Sequence, residues 1–300
     1  MRLNPKYARV AFQGEAGAFS EEAAIRLFGE SAVTLPCPTF DATFGALAAG
    51  AAQALLVPIE NSLAGSVLRV FDLLLEHKLW IAAETVLPIE HHLIGCADAR
   101  LADIRSVESH PMALAQCERL FTEHPEWKRV AAEDTAGSAR SVVSSGDRAR
   151  AAIAGRRAAE RYGGVILAAD VQDNTRNFTR FVLLLAGPES AVEALELPAG
   201  TAADKMTLAI RLAHRPGALL AALKPFARHG VNLLKIESRP ILGCPWEYQF
   251  FVDVAAESTQ GRERALDELR AATQEVRVLG LYPAAAVSVS SLEDLQGRVR

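Results

Sequence analysis

Two rhythms in the sequence predict an α/β protein built in two parts. Over the first 186 residues a short apolar strand, a small polar turn and an amphipathic helix recur. That is the pattern of α/β architecture with a largely parallel sheet, or two such sheets. From Lys205 onward the order changes to β-α-β-β-α-β, the ferredoxin-like plan. Between them, residues 187–204 carry Pro188, Pro198, Gly200 and alternating small and acidic residues, and read as a linker. The chain has 300 residues, 50% hydrophobic and 23% charged, enough for two domains each with its own core.

In the first part, Arg9 to Gln13 reads as a strand that ends in a glycine-containing turn, residues 14–18. Ser20 is placed as the N-cap of the next helix, with Glu21 and Glu22 in its first turn where the dipole favours them and Gly29 as its stop. Phe40 to Ala49 reads as a helix and Ala54 to Val57 as a buried strand. The polar group Glu60, Asn61, Ser62 and Ser66 then sits where strand hands over to helix, with Asn61 or Ser62 expected to cap it. Val67, Val70, Phe71, Leu74 and Leu75 form the one-sided stripe of that helix. Polar groups at the carboxyl ends of strands are where open α/β sheets bind ligands.

Ile81 to Gly95 is extended and interrupted by Pro88. Ile104 to Ser109 is a strand, and Pro111 suits the first turn of a helix that carries Gln116 on its early turns. Arg129 to Ala132 with the turn at 134–140, then Ala151 to Ala154 with Arg156 to Tyr162, repeat the unit. In the second part, strands are expected at 205–213, 231–238, 246–254 and 276–281, and helices at 218–229 and 262–273. Pro225 should kink or break the first helix. Residues 285–300 read as a loose tail.

Composition excludes several classes. A net charge of −4 gives no basic footprint for nucleic acid. Cys37, Cys96, Cys117 and Cys244 are scattered with no C-x-x-C pair, which fits a reducing cytoplasm and no disulfide framework. No apolar run is long enough to span a membrane. His91 and His92 are adjacent, so on a strand they face opposite ways, and no metal site is expected.

The most informative stretch is D-N-T-R-N-F-T-R-F, residues 173–181, followed at once by Val182 to Ala186. It reads as a polar loop entering a buried strand. Arg176 and Arg180 offer forked donors suited to carboxylates, and Thr175 and Thr179 offer neutral hydroxyls. The same nine residues alone also fit a solvated, well-capped loop.

Taken in order, V-A-F-Q-G-E-A-G-A-F-S-E, P-I-E-N-S-L-A-G-S-V, S-H-P-M-A-L-A-Q-C, D-T-A-G-S-A and N-F-T-R-F resemble the prephenate dehydratase family. R-P-G-A-L-L at 215–220 and I-E-S-R-P at 236–240 resemble its C-terminal ACT domain. The resemblance implies a two-lobed catalytic domain like type II periplasmic binding proteins over residues 8–186. One lobe would take 8–80 and 170–186, the other 81–169, with the ACT domain at 205–284. It implies that Thr179 is catalytic, that Asn61, Ser62 and Gln116 serve activity or prephenate binding, and that no cofactor is needed; Arg180 and the helix N-terminal amides near Ser20 and Ser62 are candidates to hold the substrate's carboxylates. It further implies L-phenylalanine as allosteric effector at Gly217, Ala218, Leu219, Glu237 and Ser238, with Asn232 from a neighbouring subunit, in a homodimer or homotetramer.

Strand alternation bears on these roles. If Thr179 faces a cleft, Arg180 points away, so Arg180 either holds a carboxylate or braces the site from behind. Glu60 would repel a dianion and is expected to be paired or turned aside. Two positions depart from the family pattern: Met112 replaces the usual glutamine, and Phe19 replaces a common hydroxyl-bearing residue. Arogenate dehydratase and a non-catalytic amino-acid sensor are the alternative readings.

Overall fold

A computed structural model describes residues 2–30, 32–198, 200–241, 243–255 and 258–285. The tail expected at 285–300 lies outside them but for Ala285. By contacts the chain divides into two compact units. One holds Tyr7–Val67 and Val86–Phe181; the other holds Leu68–Thr85 and Val182–Ala285, with the N-terminal residues up to Lys6. Among the described residues no helix is long and apolar enough to cross a membrane.

The first unit has two sheets. In one, Arg9–Gln13 lies parallel to Val33–Cys37 and to Ala54–Asn61, and the strand Phe178–Leu185, which belongs to this unit up to Phe181, follows beyond Ala54–Asn61. Val10, Ala11 and Phe12 are fully buried, as are Leu55, Leu56 and Val57. Such unbroken apolar runs suit strands covered on both faces.

The other sheet runs Val165–Ala168, His92–Gly95, Arg150–Ala154, Ser106–Ser109, Lys128–Ala131. Its last three strands are parallel, while His92–Gly95 is antiparallel to both of its neighbours. The sheet is therefore mixed rather than largely parallel, and the strand Val165–Ala168 is additional to those expected.

Period-two alternation divides its residues between two cores. Leu93, Val107, Ala151 and Ile153 pack with Leu114, Cys117, Leu120 and Phe121 on one face. Ile94, Ala152 and Ala154 pack with Ala136, Ala139, Ala158 and Ala159 on the other. The second core is nearly all alanine, so the helices Thr135–Ser145 and Arg156–Tyr162 approach the sheet closely. Cys117 is part of the first core, and burial pushes its thiol up to about 12, which makes it a packing group rather than a nucleophile.

Gly17 shows how tight the second packing is. It has φ +88°, and a Cβ there would lie 2.9 Å from the backbone of Ala158. Gly29 has φ +81° with open space around it. The strain of a left-handed backbone costs about 1–2 kcal/mol, and overpacking adds about 1–3 kcal/mol. Gly17→Ala is therefore expected to destabilise the protein by about 2–5 kcal/mol, and Gly29→Ala by only about 1–2 kcal/mol. Urea unfolding of the two variants checks this; equal losses would show that the contact with Ala158 is not tight.

In the second unit, Lys205–Arg211 runs antiparallel to Tyr248–Ala255 and to Glu275–Tyr282. Leu233–Pro240 pairs with Tyr248–Ala255 at the edge, and Trp80–Pro88 joins Glu275–Tyr282 through Gly280 and Ile81. The helices Ala218–Arg228 and Thr259–Ala272 supply Ala222, Phe226, Ala265 and Leu269 to one core with Leu208, Ile210 and Val252.

Two expectations are corrected here. Pro225 does not break its helix, which continues to Arg228. The ring is buried, and the neighbouring Ala222 and Phe226 anchor the helix in the core. Residues 187–204 are not a bare linker either. They contain the helix Pro188–Ala194 and the strand Leu195–Glu196, which pairs with Arg2–Leu3.

Candidate active site

The first unit holds an open cavity of about 390 Å³. Its walls come from both sheets: Gln13, Pro58 and Asn61 from strands of one, and His110, Met112, Glu133, Asp134 and Thr135 from the loops and helix starts that follow strands of the other. Thr179 and Phe181 line it from the strand that follows the N-F-T-R-F loop. Two crossing segments close its floor: Ile89 donates to the Asn177 carbonyl (2.8 Å) and Val171 to that of His91 (2.8 Å).

Alternation on the two strands sorts the polar groups. Asn61 and Thr179 face the cavity, whereas Glu60 and Arg180 meet on the other side at 3.6 Å. Arg180 is not among the described residues that line the cavity; of its two expected places it takes the one behind the site. It holds Glu60 behind the site.

A chain of amides crosses the cavity wall, and its hydrogen-bond directions follow from two backbone groups. The amides of Leu63 and Ala64 donate to Asn61 Oδ1 at 2.9 and 2.8 Å, which fixes the orientation of that side chain. Asn61 Nδ2 then donates to Asn177 Oδ1 (2.8 Å) and to Thr179 Oγ1 (2.9 Å). Asn177 Nδ2 in turn donates to Gln116 Oε1 (2.9 Å). The same oxygen lies 3.0 Å from His91 Nε2, and an oxygen cannot donate, so Nε2 carries a proton. His91 is 2% exposed, and burial holds its imidazole below the ordinary histidine range. It is therefore the neutral Nε2–H tautomer. Since Thr179 Oγ1 already accepts from Asn61, its own proton is left to donate elsewhere.

No lysine or arginine is among the described residues that line this cavity. Backbone donors come instead from helix starts. The first residues of Phe19–Phe28 and of Thr135–Ser145 both line it, and the first N–H groups of a helix have no partner within it. Asp134 caps the second helix by accepting from Gly137 (2.6 Å). At the first, Glu21 accepts from Gly17 (2.6 Å) and from Thr34 (2.8 Å), which pins the turn.

Four expected site residues line the cavity together: Ser20, Asn61, Gln116 and Thr179. Gln116 is the C-cap of the short helix Pro111–Ala115 rather than a residue of its early turns. Ser20 lines the cavity but is not an N-cap. The helix starts at Phe19 with Ala18 as cap, and Ser20 is its second residue. Ser62 neither lines the cavity nor caps a helix, because a tight turn at 61–65 intervenes before Leu68–Glu76. Its hydroxyl donates to the Arg176 carbonyl and accepts from Phe178, both at 2.9 Å, and so clamps the N-F-T-R-F loop.

The two departures both reach the cavity. Met112 lines it, and Phe19 packs edge-on against His91 with ring centroids 5.7 Å apart. Residues not singled out from the sequence are Asn177, His91, His110, Asp134 and Thr135. His110 Nδ1 accepts from the Met112 amide (3.2 Å) at the start of its helix. N-F-T-R-F, S-H-P and D-T-A-G-S carried a local signal for all of them but His91. Elsewhere Glu90, His92 and Asp170 come within ligand range of one another, but His92 Nδ1 already accepts the Asp170 amide (3.1 Å).

In the second unit Ala218 and Leu219 line a hollow of about 140 Å³ with His214, Arg215, Glu247 and Tyr248. Gly217, at φ +77°, is the N-cap of the helix they begin. Glu237 and Ser238 lie on the edge strand opposite Phe251 and Phe250. Asn232 does not line this hollow; its carbonyl accepts from Ala255 (2.9 Å).

The family models that match describe a prephenate dehydratase over residues 10–189 and an ACT domain over residues 206–272. Arogenate dehydratase/prephenate dehydratase 1 of Arabidopsis thaliana, a chloroplastic protein, is 38% identical over 290 residues, covering 92% of this chain and 72% of that one. Among solved structures, prephenate dehydratase from Arthrobacter aurescens in complex with L-Phe is 32% identical, with a TM-score of 0.80 over 97% of this chain and 98% of that one. GqqA, described as a novel type of quorum-quenching acylase, is 37% identical, with a TM-score of 0.81 over 93% and 98%. With both models matched in order along one chain, this protein belongs to the prephenate dehydratase family and carries the ACT domain at its C-terminal end.

Proposed function

We propose that this protein converts prephenate to phenylpyruvate, water and carbon dioxide, with Thr179 as the catalytic residue. The observation that carries the assignment is a threonine hydroxyl that accepts from Asn61 and lines a cavity with no cationic side chain.

In the reaction the bond from the ring to its carboxylate breaks as carbon dioxide leaves. Its electron pair enters the ring, and the opposite carbon–oxygen bond breaks. The departing hydroxide needs one proton to leave as water. Thr179 donates toward that oxygen, and solvent returns the proton. A donor that itself accepts a hydrogen bond is polarised, so the Asn61 contact strengthens the Thr179 O–H as a donor. Fixed donors in a water-poor site need no reorganisation as charge develops. The helix starts at Phe19 and Thr135, together with Ser20, serve the substrate's carboxylates. Glu60 is kept from the dianion by Arg180.

Residues 8–186 form the catalytic domain in this reading and 205–284 the regulatory domain, with L-phenylalanine as effector. The edge strand Leu233–Pro240 exposes Leu234 and Ile236, and Leu220 and Trp246 are exposed near it in the same domain. An open edge with apolar side chains suits pairing of two copies, so the assembly is a homodimer or a tetramer built from it. Ala218 and Leu219 approach the effector, with Glu237 and Ser238 on the strand beside it.

Arogenate, the aminated substrate, is the second reading, favoured by the Arabidopsis relative that carries both names. Purified protein given prephenate is expected to generate phenylpyruvate absorbance, at a rate that added L-phenylalanine lowers. Turnover of arogenate alone would move the assignment to the second substrate. Turnover of neither would favour an amino-acid sensor.

A further inference from the structure

His91 stands outside the set that the motifs single out, yet it terminates the amide chain that reaches Thr179. Its position is held on several sides. Its backbone N–H donates to Gln172 Oε1 (2.8 Å), its carbonyl accepts from Val171 (2.8 Å), and Phe19 packs edge-on against its ring. Gln172 is itself buried. Among the described residues the ring's polar partner is Gln116 Oε1 at 3.0 Å, and its buried Nδ1 has none.

We propose that His91 is a positioning residue for the dehydration step, acting on Thr179 through Gln116, Asn177 and Asn61. This rests on the dehydratase reading above. Gln116 Oε1 receives two donors, His91 Nε2–H and Asn177 Nδ2–H. Together they choose which end of the Gln116 amide faces Asn177. That choice turns Asn177 Oδ1 toward Asn61 and leaves one Asn61 proton for Thr179. If the imidazole donor is removed, the amide of Gln116 is free to rotate. Asn177 then has no fixed acceptor, and Asn61 is held only by the turn at Leu63 and Ala64. The amides of Leu63 and Ala64 still present Asn61 Nδ2 to Thr179, but without Asn177 Oδ1 as its second acceptor that donor, and the hydroxyl it directs, is held less tightly. The chain is no proton wire, because Gln116 Oε1 accepts from both sides. Its function is orientation.

Misdirecting a reacting group by about 1 Å costs on the order of 10²-fold in rate. His91→Leu is therefore expected to lower kcat roughly 10- to 100-fold while KM changes less than about 3-fold. Glutamine places its amide nitrogen about where Nε2 lies, so His91→Gln should recover most of kcat. Asparagine is too short to do so, and His91→Asn should not. His91→Leu combined with Gln116→Leu should be no slower than the slower single variant, since both cut one chain. Wild-type kcat in His91→Leu, equal kcat in the Gln and Asn variants, or losses that multiply in the double variant would each overturn the proposal.

Nitrogen NMR of the imidazole supplies a readout that needs no turnover. It should show Nε2 protonated and Nδ1 bare in the wild type, with the preference reduced in Gln116→Leu. A ring protonated at Nδ1 would also overturn it. Absence of dehydratase activity in the wild type, with the NMR result intact, would instead remove the functional reading.

Discussion

Replacing Thr179 by alanine is expected to lower kcat for phenylpyruvate formation by about 10³-fold, within the range of roughly 10²- to 10⁴-fold that a positioned proton donor supplies. The variant should fold. Thr179 sits on a strand whose next buried residues, Phe181 to Leu185, are all apolar, and the lost atoms are one hydroxyl and one methyl. What disappears is the donor in the cavity, together with one of the two acceptors of Asn61 Nδ2. Thr179→Val separates these effects from packing, because it keeps the shape and lacks the hydroxyl. It should fall as far as alanine. Thr179→Ser restores the hydroxyl without the methyl that limits its rotation, and should stay within about 10-fold of the parent, the small loss being one of orientation rather than of the group. Steady-state kinetics with prephenate reads all three. A valine variant that retains a tenth of the parental kcat would move the proton donor to another residue.

That Asn61 and Thr179 face one way and Glu60 and Arg180 the other was legible from strand period alone, once Ala54–Asn61 and Phe178–Leu185 are strands. The βαββαβ order of the second part was legible in the same way, because its helices and strands each carry their own period. Caps were not legible. Ser20 has the right chemistry for an N-cap, but the helix begins one residue before it, where Gly17 and Ala18 set the turn against Ala158. Residue 158 is far along the chain, and no local pattern announces it. Ser62 likewise has capping chemistry, yet it bonds to Arg176 and Phe178, more than a hundred residues away. His91 and His92 were read as opposite faces of one strand. The strand starts at His92, and His91 belongs to the crossing segment, so it turns to Gln116 instead. Local periodicity reports faces. It does not report which distant backbone will use a side chain.

The largest stability effect is expected at Lys205. Its ammonium lies 3.1 and 3.0 Å from the two oxygens of Glu84, and Glu84 Oε1 also accepts from Ala285 at 2.8 Å. The side chains are 11% and 3% exposed, so water does little to screen the pair. Lys205→Met keeps the stem and removes the charge, and Glu84 must then stay buried without its cation. Breaking a buried pair from one side costs about 3–5 kcal/mol, far beyond the ~0–1 kcal/mol of an exposed pair such as Lys6 with Glu193. Urea unfolding should show that loss in the transition of the unit that contains both residues. Adding Glu84→Gln to Lys205→Met should return most of it, because the second change removes the stranded charge instead of a further attraction. The two single variants would then each be less stable than the double. A Lys205→Met protein within about 1 kcal/mol of the parent would mean that water reaches Glu84 and that the pair behaves like an exposed one. A double variant worse than Lys205→Met would mean that the carboxylate holds the Ala285 amide more strongly than it needs the lysine.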